Sequence, residues 1–202
     1  MKKLLFPVFA ISLLSMGISA QVPAGFDLTN YGVRIEPDRR VIVVLATIEA
    51  ARTTNAAGES VPVINTPLSA EGSKFRDLLR SDSVQLDEKL RERISSFMIR
   101  YKASRPKATD AELVAPFISM AYSLTPAPDL ADPVITSDLP GRLLDVLDFA
   151  PLVRDFYRIS SISGNLNDYV KRYNAAADGK LRSSAQEMVS DLLGYLRTRP
   201  QL

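Results

Sequence analysis

Residues 37–52, PDRRVIVVLATIEAAR, form the segment on which the fold of this chain depends. The run VIVV at 41–44 is β-branched, which favours a buried strand. A helix is favoured instead because Pro37 suits a first helical position, Glu36 and Asp38 suit the positive end of a helix dipole, and no turn signal interrupts the remainder. We therefore predict a helix over 37–52. Since this helix is apolar on nearly all sides, we expect it to be central and buried.

The most regular helical pattern in the chain lies further along, at residues 86–101. Its apolar residues step by three and four along one face: Leu86, Leu90, Ile94, Phe97, Met98 and Tyr101. Charged residues occupy the opposite face, as in an amphipathic helix. We expect this helix to start near Asp82 or Ser83, and the helix before it to be capped by Ser69.

Further helices are predicted on both sides of a proline-rich loop at 125–137. The sequence TDAE at 109–112 matches a capping box, and Pro116 inside the following helix is expected to bend it rather than end it. Beyond the loop, helices are predicted at 139–147, from Asp148 to Ile159, from Asn165 or Asn167 onward, and from about Asp178 to Thr198. The last of these has an apolar stripe that includes Met188 and Leu192.

These segments predict an all-α fold, an irregular multi-helix bundle of about seven helices without an assigned strand. Residues 53–68 are predicted to form a loop, with at most a brief extended run at 61–64. The predicted organisation is a signal peptide at 1–20, an irregular lead-in at 21–36, and a single helical domain at 37–199 with its proline-rich internal loop at 125–137.

The N-terminal segment has the three parts of a secretory signal: Lys2 and Lys3, an apolar stretch at 4–16, and the small residue Ala20 before the predicted cut. The apolar stretch is shorter than the roughly 20 residues that cross a bilayer. An uncleaved anchor is the alternative, because Ile18 is not ideal three residues before the cut. We expect a cleaved signal and an exported protein, periplasmic or extracellular.

The charge balance and the missing cysteines restrict the partners. Cleavage removes two lysines and no acids, which lowers the count of Lys plus Arg from 25 to 23, equal to the 23 Asp plus Glu. A mature chain with no net charge gives no reason to expect a nucleic-acid partner or an anionic membrane surface. Without Cys there are no disulfides and no lipid-modified Cys anchor, so stability has to come from a core.

The absence of His and Cys removes most of the usual enzyme chemistry, and we expect no metal site and no cofactor. Ser104 and Lys107 match S-x-x-K, but the S-D-N and K-T-G partners are missing, and we interpret the match as a helix-ending turn. Pairs of carboxylates remain as candidates for glycoside hydrolysis. Three aspartates of the proline-rich loop are candidates for calcium ligands: Asp129, Asp132 and Asp138. They lack the spacing of an EF-hand, and the alternative is that they only solvate the loop.

Aromatic residues in the C-terminal half are the candidate binding residues. Phe156, Tyr157, Tyr169 and Tyr173 offer broad apolar faces, and the tyrosines add hydroxyl groups. Their helical spacing is also compatible with a core whose hydroxyls reach the surface.

Five stretches carry a resemblance to other proteins: VPAGFDL at 22–28, YGVRIEP at 31–37, EAA at 49–51, LVRDFY at 152–157 and YLRTRP at 195–200. They resemble the N-terminal helical region of large uncharacterised exported bacterial proteins. In those proteins this region would precede further domains, some of which look peptidase-like. The resemblance implies an exported helical module and nothing about its activity.

Three functional hypotheses follow. The first is a non-enzymatic helical module that binds another exported protein or supports a downstream domain. The second is a cell-envelope hydrolase that uses carboxylates or a Ser-Lys pair, which requires a cleft with converging acids of shifted pKa. The third is a carrier of small apolar ligands, which requires a cavity of a few hundred cubic ångströms.

Overall fold

The structure is a computed structural model that describes residues 37–82, 86–132, 142–177 and 180–196. Within these residues the elements in chain order are α1 Arg39–Glu49, β1 Arg52–Thr54, β2 Ser60–Pro62, α2 Ala70–Asp82, α3 Glu88–Ala103, α4 Asp110–Ser123, a 3₁₀ helix Leu144–Phe149, α5 Ala150–Ile159, α6 Ile162–Ala177 and α7 Lys180–Leu196. The predicted multi-helix fold is confirmed. No helix in the described part of the chain is both long and apolar enough to cross a membrane.

The chain divides into two compact units, 35–182 and a second unit that comprises 1–34 with 183–202. Helices α1 to α6 belong to the first unit. Of the second unit, only the part of α7 from residue 183 to 196 is described. The predicted signal peptide and lead-in lie outside the described residues, and the single domain at 37–199 stays a prediction.

Helix α1 is the centre of the first unit. It packs against α2, α3, α4, α5 and α6, and the VIVV run is helical, with residues 42–44 buried. The prediction of a central buried helix is therefore confirmed. The helix begins at Arg39 rather than at Pro37, because the Asp38 side chain accepts a hydrogen bond from the Arg40 N–H at 2.8 Å and caps the helix.

The segment after α1 corrects the predicted helix end at Arg52, because α1 ends at Glu49 and Arg52 begins β1. In the predicted loop at 53–68, the brief extended run expected at 61–64 overlaps β2, whereas β1 was not expected. Strands β1 and β2 pair antiparallel, with Arg52 opposite Pro62. The hairpin closes because the Asn55 side chain accepts hydrogen bonds from the backbone N–H groups of Ala57 and Glu59. Gly58 supplies the left-handed turn conformation, at φ 80°.

Two predicted helix starts are confirmed by their caps. The Gly72 N–H donates to Ser69 Oγ at 3.1 Å ahead of α2. At the start of α4, the Thr109 hydroxyl accepts from the Glu112 N–H while the Glu112 carboxylate accepts from the Thr109 N–H, which completes the capping box. Helix α4 continues through Pro116 to Ser123, and the expected bend at that proline stays a prediction.

Other predicted boundaries are wrong. Asp82 is the last residue of α2, and α3 begins at Glu88 after Asp87. Residues 144–147 of the helix predicted at 139–147 belong to the 3₁₀ helix, and α5 is preceded by Phe149 rather than capped by Asp148. Helix α6 begins at Ile162, three residues before Asn165. Each predicted helix start differs from the observed one by a few residues. Other polar residues near each boundary could also have served as the helix cap.

The core of the first unit is built around aromatic rings from α3, α4 and the 3₁₀ helix. The Phe117 ring meets the Tyr101 and Phe149 rings edge to face, with centroids 5.0 and 4.9 Å apart. Phe97 packs on the same group, its centroid 5.0 Å from that of Phe149. The apolar stripe predicted at 86–101 faces this core, which confirms its assignment.

Candidate binding clefts

The predicted binding aromatics lie in different surroundings. Phe156 is fully buried, and Tyr169 is buried with its ring edge-on to Phe75 at 6.3 Å between centroids. Tyr157 is half-buried and lines a cleft of about 740 Å³ beside the proline-rich loop. Tyr173 lies in α6, but its side chain is outside the described residues. A common binding surface for the four residues stays a prediction.

The Ser104-Lys107 pair falls at the end of a helix. Ser104 directly follows α3, and its hydroxyl donates to the Tyr101 carbonyl at 2.7 Å. The same hydroxyl accepts a hydrogen bond from Arg105 at 2.6 Å. Both contacts are those of a helix-ending turn, and the hydroxyl proton is donated to a backbone carbonyl rather than to a base.

The aspartates of the proline-rich loop are only partly described. Asp132 forms two hydrogen bonds with the Arg154 guanidinium, at 2.7 and 3.2 Å. Asp129 lines the cleft beside it, and Asp138 is outside the described residues. In the described part of the chain, no three acidic side chains group closely enough to hold a metal ion. Asp132 therefore serves the loop as an arginine partner.

Among the described residues, three carboxyl groups have resolved pKa shifts, and all three shifts are downward. The Arg40 side chain lowers the pKa of Asp38. The Thr109 N–H and hydroxyl lower the pKa of Glu112. Burial alone would raise the pKa of Asp110, but hydrogen bonds from the Asn65 N–H and from Lys102 outweigh it and lower the pKa. These acids are held in the charged form by structural partners, as expected of caps and ion pairs.

An apolar cleft of about 290 Å³ lies between α1, α2, α4 and the segment 63–69 that connects β2 to α2. Its lining is mostly aliphatic, with one aromatic ring, and comprises Leu45, Ile48, Glu49, Ile64, Thr66, Leu68, Gly72, Phe75, Arg76, Leu79, Ala111, Val114 and Ile118. Leu68 is 46% exposed at the rim, whereas Ile48, Ile64 and Leu79 are buried. We refer to this site as the apolar cleft.

The two charged residues of the apolar cleft pair with each other. Arg76 Nε lies 3.0 Å from Glu49 Oε1, and the Arg76 Nη2 group donates to the Thr66 carbonyl at 2.6 Å. The Arg80 Nε group donates to the second Glu49 oxygen at 2.9 Å. The carboxylate at the edge of the cleft is thus fully occupied by the two arginines of α2.

The segment 63–69 forms one wall of the apolar cleft and is held by charged side chains. The Asn65 N–H donates to Asp110 Oδ2 at 2.8 Å, and the Lys102 ammonium bridges Asp110 Oδ1 and the Val63 carbonyl. Arg76 adds the bond to Thr66. The wall is therefore fastened to α2, α3 and α4 at three successive points.

Sequence reasoning missed the apolar cleft and its ion pairs. A signal was present in α2, where Arg76 and Arg80 stand one helical turn apart and each follows an apolar residue. Two arginines one helical turn apart repel each other, so both are stabilised by an acid that lies near them. Their acidic partner, Glu49, lies 31 positions before Arg80, so no local pattern in the sequence connects them.

Comparison with family models, with curated proteins and with solved structures gave no match to this chain. The resemblance to exported bacterial proteins therefore stays a prediction. The functional class rests on the fold and on the clefts alone.

Proposed function

We propose that this chain is a non-enzymatic helical binding module whose apolar cleft takes a small uncharged apolar ligand. The observation that carries the proposal is the aliphatic lining of the cleft, whose volume of about 290 Å³ lies near the lower end of the range for ligand pockets. An engineered apolar cavity of roughly 150 Å³ suffices to bind benzene. The cleft therefore has room for a molecule the size of one or two rings.

Charge pairing supports the choice of an uncharged ligand. Because Glu49 is occupied by Arg76 and Arg80, neither charge at the cleft edge is left to bind an opposite charge on a ligand. A charged ligand would lose its hydration on entering an apolar site without gaining a partner. An uncharged apolar ligand gains by leaving water and loses little else.

The proposal is tested by NMR titration of the full chain with three matched probes: indole, indole-3-acetate and tryptamine. Indole is expected to shift the amide signals of Ile64, Gly72 and Val114 and to saturate them. The two charged analogues, which carry the same ring, are expected to bind more weakly. Equal binding of all three, or shifts spread over the whole surface, would contradict the proposal.

Two variants test whether indole binds in the apolar cleft. Ala111→Phe places a ring at an exposed position that lines the cleft, and we expect it to weaken indole binding about tenfold or more. Ala103→Phe makes the same change at an exposed position of α3 that does not line the cleft, and indole binding should be unchanged. If both variants bind indole as the unmodified chain does, the ligand lies elsewhere.

Protein binding is the second candidate function, and helix α7 supports it. Met188 is 67% exposed and Leu192 is 54% exposed, and they stand one turn apart on the same face. The apolar stripe predicted for this helix is thus exposed at these two positions. We expect Met188→Lys to abolish capture of a partner from the exported fraction, whereas Lys89→Glu on α3 should leave capture intact.

Export is part of the same proposal. It is supported by the three-part N-terminal pattern with its two lysines, apolar stretch and small residue. The test is the intact mass of the native protein from the exported fraction, which should correspond to a chain starting at Gln21. Recovery of the chain only from the cytoplasm, with residues 1–20 still attached, would contradict it.

A further inference from the structure

A third cleft, the polar cleft, lies between the β1–β2 hairpin and one face of α3 and has a volume of about 520 Å³. It is lined by two arginines, two glutamates and three serines: Arg52, Arg91, Glu88, Glu92, Ser60, Ser95 and Ser96. The α3 members follow one helix face, since they recur at intervals of three and four. No apolar residue stands among these seven.

Arg52 is the most unusual group in the polar cleft. Its guanidinium donates to the backbone carbonyls of Glu49 and Ala51, and it forms no ion pair with any described residue. Burial lowers the pKa of Arg52, and the nearby charges of Arg80 and Arg91 lower it further, against the opposing effect of Glu49. A half-buried cation without an ion-pair partner is stabilised by an anionic group brought to it.

Ser95 stands directly beside Arg52. Its hydroxyl oxygen accepts a hydrogen bond from the Arg52 backbone N–H at 2.9 Å, and its side chain is buried. Among the described residues, the Ser95 hydroxyl proton has no acceptor. The inner part of the polar cleft thus presents a guanidinium and a hydroxyl donor, and both suit a carboxylate.

The two glutamates make the same cleft unfavourable for a plain anion. Glu88 is exposed and lies 3.6 Å from Arg91, a weak surface pair. Glu92 is exposed and forms no ion pair with any described residue. A ligand that carries an ammonium group together with its carboxylate would match both sets of charges.

We propose that the polar cleft binds a small zwitterion, a free amino acid or a short peptide, with its carboxylate on Arg52 and Ser95 and its ammonium on Glu92. This inference is independent of the apolar cleft, because the two clefts share no lining residue. It assigns the hairpin a role, since β1 supplies Arg52 and β2 supplies Ser60.

The test uses the full chain and four probes followed by NMR: glycylglycine, N-acetylglycine, glycinamide and inorganic phosphate. Glycylglycine is expected to bind tightest, with saturable shifts at the Arg52 side chain and at the Ser95 amide. N-acetylglycine and glycinamide each lack one charge and should bind more weakly. Phosphate binding as tight as that of glycylglycine would overturn the proposal in favour of a plain anion site, and so would the absence of any saturable shift.

Substitutions separate the two ends of the ligand. We expect Arg52→Gln to weaken glycylglycine binding about tenfold or more, the size of a lost charge-assisted hydrogen bond. Because Arg52 also bonds to backbone carbonyls, Glu92→Gln at an exposed position provides a second test that does not depend on folding. It should weaken glycylglycine binding and leave N-acetylglycine unchanged or tighter. Lys89→Gln, an exposed charge change on α3 outside the cleft, is the matched control. Equal effects of Glu92→Gln on both probes would overturn the assignment.

Discussion

The Glu49 carboxylate and the Arg76 guanidinium approach to 3.0 Å, with only 11% and 12% of their side chains exposed. The Arg76 Nε–H forms no hydrogen bond, so this contact is an ion pair without a hydrogen bond through that atom. Arg80 does form the hydrogen bond, at 2.9 Å. One acid at the end of α1 thus holds two bases of α2, at the edge of the apolar cleft.

Removing this acid is expected to destabilise the fold. Glu49→Gln leaves two mostly buried guanidinium groups without their shared counter-charge, which should lower the free energy of unfolding by about 2–3 kcal/mol. Urea unfolding followed by circular dichroism measures the change. Asp168→Asn, which breaks an exposed pair with Lys171 at 3.6 Å, is the control and should cost less than about 0.5 kcal/mol. Equal costs for the two substitutions would mean that the Glu49 cluster is energetically a surface pair.

The stabilising contribution of Asp110, which holds one wall of the apolar cleft, should be lost at acid pH. Since the folded-state pKa of Asp110 lies below its unfolded value, its contribution is present above the unfolded pKa and is lost as pH falls through the folded value. Asp110→Asn should therefore cost about 1 kcal/mol near neutral pH, and the difference from the unmodified chain should shrink below about pH 4. Unfolding measured across pH 3–7 checks this sign. A difference that grows toward acid pH would be contrary to it.

Substitution by alanine should change the stability of the protein in opposite directions at two glycines. Gly58 has φ 80°, where a side chain is strained, so Gly58→Ala should destabilise the hairpin by about 1 kcal/mol. Gly164 lies in the first turn of α6, and a Cβ there meets nothing within 4 Å. Gly164→Ala should stabilise by about 0.5 kcal/mol. The midpoints of thermal unfolding of the two variants, compared with the unmodified chain, test both expectations. A stabilising Gly58→Ala would contradict the left-handed conformation of Gly58.

The aromatic core should be sensitive to truncation at its centre. Phe117 is fully buried and touches three other rings, so Phe117→Ala should cost about 3–5 kcal/mol. Ile99→Ala removes a side chain that is 41% exposed on α3 and should cost much less. Urea unfolding measures the two costs, which follow from the shift in the midpoint if the dependence of the unfolding free energy on urea concentration is unchanged. Similar costs for the two would place Phe117 outside the cooperative core.

The sequence by itself determined those elements whose signals lie within one or two helical turns. The capping box at Thr109, the Ser69 cap and the apolar stripe of α3 were all predicted, because hydrogen bonds to helix ends and the 3.6-residue period are local. The true starts of α3 and α6 were missed where several polar residues competed for the same role. The spacing of Phe156 and Tyr169 left binding and core packing open, because spacing alone does not distinguish a buried ring from an accessible one, and the structure buries both rings.

Only the tertiary structure decided the rest, because the deciding contacts join residues far apart in the chain. The β-branched residues of α1 are helical in a position where five other helices pack against them, and the two described strands pair with each other. Arg80 meets Glu49 across 31 positions, and the Arg52 N–H meets Ser95 across 43. The apolar cleft and the polar cleft both arise from such pairings, since a cavity is the space left between packed elements and no single segment encodes it.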